Sequence, residues 1–202
     1  TSFYAIAGLV ASDGGQVLLD GEDITRLPMY RRARMGIGYL PQETSIFRGL
    51  CVEDNISAIL DISEQDRHKR RERLEELLAD FGLEHLRRTS AMALSGGERR
   101  RVEIARSLAA HPKYLLLDEP FAGVDPVAVE DIQRIVAQLT KKNIGILITD
   151  HNVQETLAIT DRTYLMFEGS ILKAGKPEEL AEDEMVRKVY LGQNFELRKK
   201  KL

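Results

Sequence analysis

The stretch from Leu94 to Asp150 decides the fold. In order it reads LSGGE at Leu94–Glu98, a basic run at Arg99–Arg106, YLLLDEP at Tyr114–Pro120, AGVDP at Ala122–Pro126, and TD at Thr149–Asp150 with His151 directly after. The apolar run Tyr114–Leu117 is too short for a helix and is flanked by turn signals, which predicts a strand buried on both faces. Alternation of such strands with helices predicts an α/β fold with a mostly parallel sheet and crossover helices.

Polar residues at the ends of these elements predict a site for phosphate and metal. Asp118 and Glu119 follow the buried strand, at the edge where open α/β sheets bind ligands. We predict that Asp118 holds a hydrated Mg²⁺ and that Glu119 orients or deprotonates an attacking water. Ser95–Gly97 open a helix, where a hydroxyl cap and unpaired backbone N–H groups attract anions. His151 follows a second predicted strand, Ile144–Thr149, from which its side chain can bind a terminal phosphate or polarise water.

Each fragment alone has a simpler interpretation. Asp-Glu can be a solvated strand end, Ser-Gly-Gly a turn, and a histidine after a strand a capping or packing residue. Together, in this order and spacing, the fragments resemble the ATP-binding subunit of ABC transporters, and the resemblance covers almost the whole chain.

The resemblance implies a P-loop NTPase-like core with a helical subdomain that carries the LSGGE signature, and ATP and Mg²⁺ as ligands. It also implies a head-to-tail homodimer, with each ATP held between the phosphate loop of one subunit and the signature of the other. The signature residues are Ser95, Gly96, Gly97 and Glu98. Gln42 corresponds to the Q-loop residue. Its side-chain N–H₂ can donate to the attacking water, and its side-chain carbonyl can bind Mg²⁺. Asp125 corresponds to the D-loop, and Thr1 to the position after the Mg²⁺-binding hydroxyl of the phosphate loop.

The expected organisation has four regions. Residues 1–48 form part of the core, from the phosphate-loop helix to the Q-loop. Residues 49–110 form the helical subdomain, residues 111–167 the rest of the core, and residues 168–202 a C-terminal hairpin with helices. In the last region a turn is expected at Glu168–Gly169.

The chain begins within a predicted helix at Thr1. An ATPase of this class needs a G-x-x-x-x-G-K-[ST] loop before that helix, since its amides and lysine neutralise the phosphates. That motif does not occur in the 202 residues. We expect the first strands, an adenine-stacking aromatic residue and this loop to precede Thr1, either removed from the polypeptide or omitted from the sequence as written. An ATPase fragment that is inactive by itself is the alternative.

Phe47 and Arg48 lie in a segment expected to be a loop. The resemblance implies that this segment contacts the transmembrane permease subunits, and an aromatic residue beside an arginine is a suitable interface anchor. Packing of Phe47 into the core of the helical subdomain is the alternative.

Within the family, the sequence resembles that of the ATPases that power lipopolysaccharide export from the Gram-negative inner membrane. The resemblance rests on Ile37–Glu43, Ser45–Arg48, Leu94–Arg106, Asp118–Pro126, Thr149–Val153 and Val189–Gly192. It implies a peripheral location on the cytoplasmic face. The branched-chain amino acid importer ATPase is the alternative, although its signature is followed by less basic residues than Arg99–Arg101. DNA-repair ATPases share the motifs but insert long coiled coils or zinc modules, and neither fits this chain.

Composition limits the remaining classes. The net charge of −3 provides no global basic field, so no nucleic-acid partner is expected. No apolar run approaches the length of about 20 residues that spans a membrane. A single cysteine, Cys51, excludes an internal disulfide.

Local patterns give three further expectations. The arginines of a predicted helix at Met29–Met35, which are Arg31, Arg32 and Arg34, are expected on a solvated face. Ser63 is expected to cap a helix at 65–81. The basic tail Arg198–Lys201 is expected to be a solvated end.

Overall fold

The computed structural model describes residues 1–191 and 197, and the chain divides into two compact units. The first unit is Thr1–Thr149 and the second is Asp150–Leu202. Across the described part of the chain, no helix combines the length and the apolar character that crossing a bilayer requires. The basic tail at Arg198–Lys201 lies outside the described residues.

The first unit combines helices with two small sheets. Its helices are α1 (Ser2–Ala7), α2 (Met29–Arg34), α3 (Val52–Ser63), α4 (Arg67–Asp80), α5 (Gly96–Leu108) and α6 (Pro126–Lys141), with 3₁₀ turns at Glu84–Leu86 and Ala91–Ala93. Its strands are β1 (Leu18–Leu19), β2 (Glu22–Asp23), β3 (Ile37–Leu40), β4 (Tyr114–Asp118) and β5 (Gly145–Thr149).

A parallel sheet of order β3-β4-β5 positions the candidate site. β4 lies in the centre, and Leu115–Leu117 are almost fully buried, as the short apolar run predicts. Leu40 pairs with Leu117 and Asp118 pairs with Thr149, so all three strands end at one edge. The predicted α/β fold with a parallel sheet is therefore confirmed.

The helix boundaries follow local capping chemistry. Asp125 caps α6 by accepting from the N–H groups of Val127 and Ala128, and the helix runs from Pro126, whose ring suits the first helical position, to Lys141. The predicted cap at Ser63 is wrong. Ser63 ends α3, and its hydroxyl donates to the carbonyls of Ile59 and Ala109.

α4 instead begins after Asp66, whose carboxylate accepts from the N–H groups of His68 and Lys69. A carboxylate near a helix start also interacts favourably with the helix dipole.

The predicted solvated face of α2 is wrong at one position. Arg31 and Arg34 are exposed, but Arg32 is only 3% exposed. Its guanidinium donates to four backbone carbonyls at 2.7–2.8 Å, those of Ala5, Ile6, Thr25 and Leu27. Arg32 thus joins α1, the segment after β2 and α2 through one buried side chain.

The second unit is a hairpin with short helices. Its elements are α7 (Val153–Leu157), β6 (Thr163–Phe167), β7 (Ser170–Gly175), α8 (Pro177–Glu182), α9 (Glu184–Val186) and a π-helical turn at Arg187–Leu191. β6 and β7 pair antiparallel. The predicted turn is confirmed, with Glu168 at φ 48° and Gly169 at φ 78°, as a two-residue turn with left-handed residues requires. Leu165, Leu180 and Val186 form the small core of this unit.

Candidate functional site

Asp118 ends the central strand between two hydroxyl groups. The Tyr39 hydroxyl, from β3, donates to Oδ2 at 3.1 Å, and the Thr149 hydroxyl, from β5, donates to Oδ1 at 2.5 Å. Burial and the hydrogen bond to Asp118 raise the pKa of Tyr39 well above its ordinary value, so the phenol remains a donor. The two neighbouring strands therefore fix the orientation of the Asp118 carboxylate.

Glu119 adopts an unusual backbone conformation directly after Asp118. Its φ of 44° lies in the left-handed region, which costs a non-glycine residue about 1–3 kcal/mol. The Glu119 N–H donates to the Thr149 carbonyl at 2.8 Å. Its carboxylate accepts from the Gln42 amide, with Nε2 2.8 Å from Oε2. Two of the predicted catalytic residues are thus in direct contact at the edge of the sheet.

The signature residues form the start of α5. The Ser95 hydroxyl accepts from the Glu98 N–H at 3.3 Å, while the Glu98 carboxylate accepts from the Ser95 N–H at 2.8 Å and from its hydroxyl at 2.7 Å. This reciprocal pattern is a capping box. Hydrogen bonds from the Ser95 hydroxyl and N–H lower the pKa of Glu98. At the start of α5, the Glu98 carboxylate therefore occupies the N–H and hydroxyl donors of the cap residue Ser95.

The start of α5 lies against the start of α6. A Cβ added at Gly97 would come within 2.6 Å of the Ala128 Cβ, whereas one added at Gly96 would meet nothing within 4 Å. The Ala128 N–H is one of the two that donate to the Asp125 carboxylate. The signature and the residue predicted to form the D-loop thus belong to two adjacent helix starts.

Two predicted site residues lie apart from these clusters in the chain. Thr1 is exposed and precedes α1, and its carbonyl accepts from the Ala5 N–H at 3.1 Å. His151 belongs to the second unit, where its Nδ1 lies 3.8 Å from Oδ1 of Asp150 and its side chain is 73% exposed. The roles of both residues stay predictions.

Phe47 is 42% exposed, so the alternative that it packs into the core of the helical subdomain is wrong. Ile46 is the buried residue of this segment. The Asn55 amide exchanges two hydrogen bonds with the Phe47 backbone, at 2.8 and 3.1 Å. The Arg106 guanidinium lies 4.4 Å from the centre of the Phe47 ring, and Arg48 is exposed.

The sequence patterns missed four residues at the site: Tyr39, Thr149, Arg100 and Glu103. The hydroxyls of Tyr39 and Thr149 reach Asp118 across the sheet, as a buried tyrosine hydroxyl usually finds a partner. Arg100 and Glu103 are buried side chains of α5, within the run that the sequence pattern identifies only as basic. The signal for the two hydroxyls is their place in strands that flank the Asp-Glu strand.

A capped helix start at Ser95, an Asp-Glu strand end and a glutamine after a neighbouring parallel strand are the arrangement expected of a nucleotide-hydrolysing cassette. A family model described as ABC transporter matches residues 1–122. A probable ABC transporter ATP-binding protein of Azorhizobium caulinodans is 58% identical over 197 residues, which cover 98% of this chain and 70% of that protein. The chain belongs to the ABC transporter family, as an ATP-binding subunit that hydrolyses ATP in a transport-coupled cycle.

Two further relatives are named lipopolysaccharide export system ATP-binding protein LptB. The Haemophilus influenzae protein is 54% identical and the Escherichia coli K12 protein 53% identical, each over 98% of this chain and 82% of the relative. Among solved structures, an ABC transporter cassette in its ADP conformation has a TM-score of 0.81 at 29% identity, covering 95% of this chain and 82% of that one. The cbiO1 cassette of Clostridium perfringens has a TM-score of 0.82 at 30% identity, covering 95% and 78%.

Proposed function

We propose that this chain powers the extraction of lipopolysaccharide from the inner membrane of a Gram-negative bacterium, as a peripheral subunit on the cytoplasmic face. The observation that carries the proposal is its 53–54% identity, over 98% of the chain, to two proteins named for lipopolysaccharide export. The alternative is an importer of branched-chain amino acids, which rests on motifs common to the whole family.

Asp118 is proposed to hold Mg²⁺ together with the phosphates of ATP. The residues fit this ion, because Mg²⁺ prefers oxygen ligands and commonly uses one or two carboxylates, with water and phosphate completing its shell. Hydroxyls on both sides orient the Asp118 carboxylate. Bound there, Mg²⁺ would neutralise charge that develops on the phosphates. The Gln42 carbonyl is the second proposed ligand.

Glu119 is proposed as the group that accepts a proton from the attacking water. Its contact with Gln42 supports this role, because an amide can both hold the carboxylate and orient the water. Its N–H bond to the Thr149 carbonyl fixes the left-handed backbone. His151 is proposed to hydrogen-bond the γ-phosphate.

Two copies are proposed to pack head to tail around two ATP molecules. In this arrangement the N–H groups and hydroxyl at Ser95, Gly96 and Gly97 bind the γ-phosphate held by the other copy. Glu98 then has to share the Ser95 hydroxyl with the phosphate, since its carboxylate accepts that hydroxyl at 2.7 Å. Asp125 and Thr1 are proposed to line the nucleotide from the D-loop and from the start of α1.

Phe47 and Arg48 are proposed to contact the transmembrane permease subunits. The exposure of the Phe47 ring supports this, as does a groove of about 250 Å³ beside it, lined also by Met29, Ala33 and Arg106. A large aromatic residue over a guanidinium is a suitable anchor for an interface.

The test is replacement of the chromosomal lipopolysaccharide-export ATPase, under depletion, by the intact protein. We expect the wild type to restore growth and the appearance of lipopolysaccharide at the cell surface. Glu119→Gln should express and assemble with the permease subunits but not restore growth, since turnover should stop with two subunits closed on ATP. Restored uptake of branched-chain amino acids without restored growth would favour the importer, and full turnover by Glu119→Gln would refute the role of Glu119.

A further inference from the structure

α5 contains a buried ion pair that the proposed reaction does not use. Nη1 of Arg100 lies 3.2 Å from Oε2 of Glu103, and the two side chains are only 7% and 3% exposed. Removing two charges from water is costly, so a buried pair persists only where further hydrogen bonds satisfy it. The destinations of those bonds indicate what the pair does.

The Arg100 end reaches the backbone just before both catalytic candidates. Nη1 donates to the Pro41 carbonyl at 3.0 Å and Nη2 to the Asp118 carbonyl at 3.3 Å. Pro41 precedes Gln42 and Asp118 precedes Glu119. One planar guanidinium therefore spans the two peptide bonds that lead into the Gln42–Glu119 contact.

The Glu103 end reaches the segment that carries Phe47. Its Oε1 accepts from the Ser45 N–H at 2.7 Å and from the Ile46 N–H at 3.1 Å. One turn further along α5, Arg106 donates to the Ser45 carbonyl and hydroxyl, both at 2.8 Å. The same guanidinium lies over the Phe47 ring, 4.4 Å from its centre. Residues at 100, 103 and 106 thus form one continuous polar chain on one helix face.

We propose that Arg100 and Glu103 are positioning residues. They couple the proposed permease contact at Phe47 and Arg48 to the hydrogen bond between Gln42 and Glu119. The inference rests on the proposed function, in which Phe47 meets a permease subunit and Glu119 acts on water. When a partner displaces the Ser45–Phe47 backbone, the Glu103 carboxylate shifts with the amides that it accepts from. The Arg100 guanidinium, paired with Glu103, then displaces the Pro41 and Asp118 carbonyls to which it donates. Both side chains are packed and bonded at each end, so little of the displacement is absorbed by rotamer change.

The test compares ATP turnover of the intact protein with and without its permease subunits. Arg100→Lys keeps the charge but loses the fork that spans two carbonyls, and Glu103→Gln keeps the volume but places an amide N–H₂ against the guanidinium. Arg101→Lys is the matched control, because Arg101 donates instead to the Phe81 carbonyl in the helical region.

We expect the stimulation by the permease subunits to fall about tenfold in Arg100→Lys and Glu103→Gln, within the range typical of coupled sites. The KM for ATP should change less than twofold, and Arg101→Lys should retain the stimulation. If basal and stimulated rates fall in parallel, or if stimulation stays within twofold of wild type, the coupling role is refuted. A wild type that shows no stimulation refutes it equally.

Amide hydrogen exchange provides a readout independent of activity. The Ser45 and Ile46 amides donate to the Glu103 carboxylate, so faster exchange of these two amides in Arg100→Lys would report transmission through Glu103. Unchanged exchange there would contradict the proposal. Glu119→Gln in the same turnover assay separates the two hypotheses, since its retained activity would refute the proposed role of Glu119 whatever the Arg100 variant does.

Discussion

Replacement of Arg32 by methionine should strongly destabilise the first unit. The variant removes four charge-assisted hydrogen bonds to backbone carbonyls while keeping most of the side-chain volume. At about 1.5–3 kcal/mol each, these bonds set an upper bound of 6–12 kcal/mol. The carbonyls of Ala5 and Ile6 belong to the last turn of α1, where carbonyls have no i+4 partner within the helix, although that of Ala5 also accepts from the Gly8 N–H at 3.3 Å. Because some carbonyls can regain water in the variant, we expect a loss of about 3–5 kcal/mol, as for other broken buried polar networks.

The assay is urea unfolding followed by circular dichroism. Arg31→Met is the matched control, since Arg31 is the exposed neighbour in the same helix, and its effect should stay within about 0.5 kcal/mol. Arg32→Lys should fall between the wild type and Arg32→Met, because an ammonium group provides three donors to four carbonyls. If Arg32→Met does not fold, Arg32→Lys decides the prediction. A loss below about 1 kcal/mol in both Arg32 variants would refute the reasoning.

Three further predictions concern the site. Tyr39→Phe and Thr149→Val should each weaken the binding of Mn²⁺ with ATP to the intact protein, measured by electron paramagnetic resonance, because each removes one donor to Asp118, the proposed metal ligand. Unchanged Mn²⁺ affinity in both would show that the hydroxyls do not orient it. Gly97→Ala should cost about 1–3 kcal/mol in urea unfolding, since its new methyl group would overlap a neighbouring helix, whereas Gly96→Ala should not. Equal stability of the two variants would contradict this. Glu98 has a lowered pKa, so its stabilising contribution is present above the ordinary glutamate pKa of about 4.3 and is lost as pH falls through the lower folded value. The difference in melting temperature between wild type and Glu98→Gln should therefore disappear in acid, and a constant difference would exclude this linkage.

The elements that the sequence predicts well are those with local signals. α6 begins at Pro126 because an aspartate cap and a proline at the first helical position occur together. β4 is recognisable because four apolar residues lie between a turn and two acids. Arg32 carries no such signal. Its four acceptors come from positions 5, 6, 25 and 27, and only tertiary packing brings them together.

The candidate site likewise contains residues that the sequence predicts and residues that only the tertiary structure reveals. Gln42 follows β3 and Glu119 follows β4, and their contact follows from adjacent parallel strands that end at one edge. The hydroxyls of Tyr39 and Thr149 depend on strand order and register, which the motifs do not specify. Arg100 sits in a run of three arginines, where the exposed-face interpretation is the ordinary one. Arg100 can be buried because the Pro41 and Asp118 carbonyls and the Glu103 carboxylate accept its hydrogen bonds inside the fold.

α5 links the two halves of the proposed chemistry. Its first residues form the helix cap at the predicted phosphate contact. Arg100 lies five residues after Ser95, about 7.5 Å along the helix axis, and donates to the Pro41 and Asp118 carbonyls at the ends of β3 and β4 in its own subunit. A hydrophobic pair in place of Arg100 and Glu103 would avoid the cost of burying charge, and such replacements are often neutral or stabilising. It would also release the carbonyls before Gln42 and Glu119. The buried charges are therefore explained better by the positions they hold than by the stability they contribute. A Met and Leu pair at 100 and 103 that folds normally but loses stimulation by the permease subunits would separate the two explanations, while one that folds normally and keeps full stimulation would show that position does not require the charges.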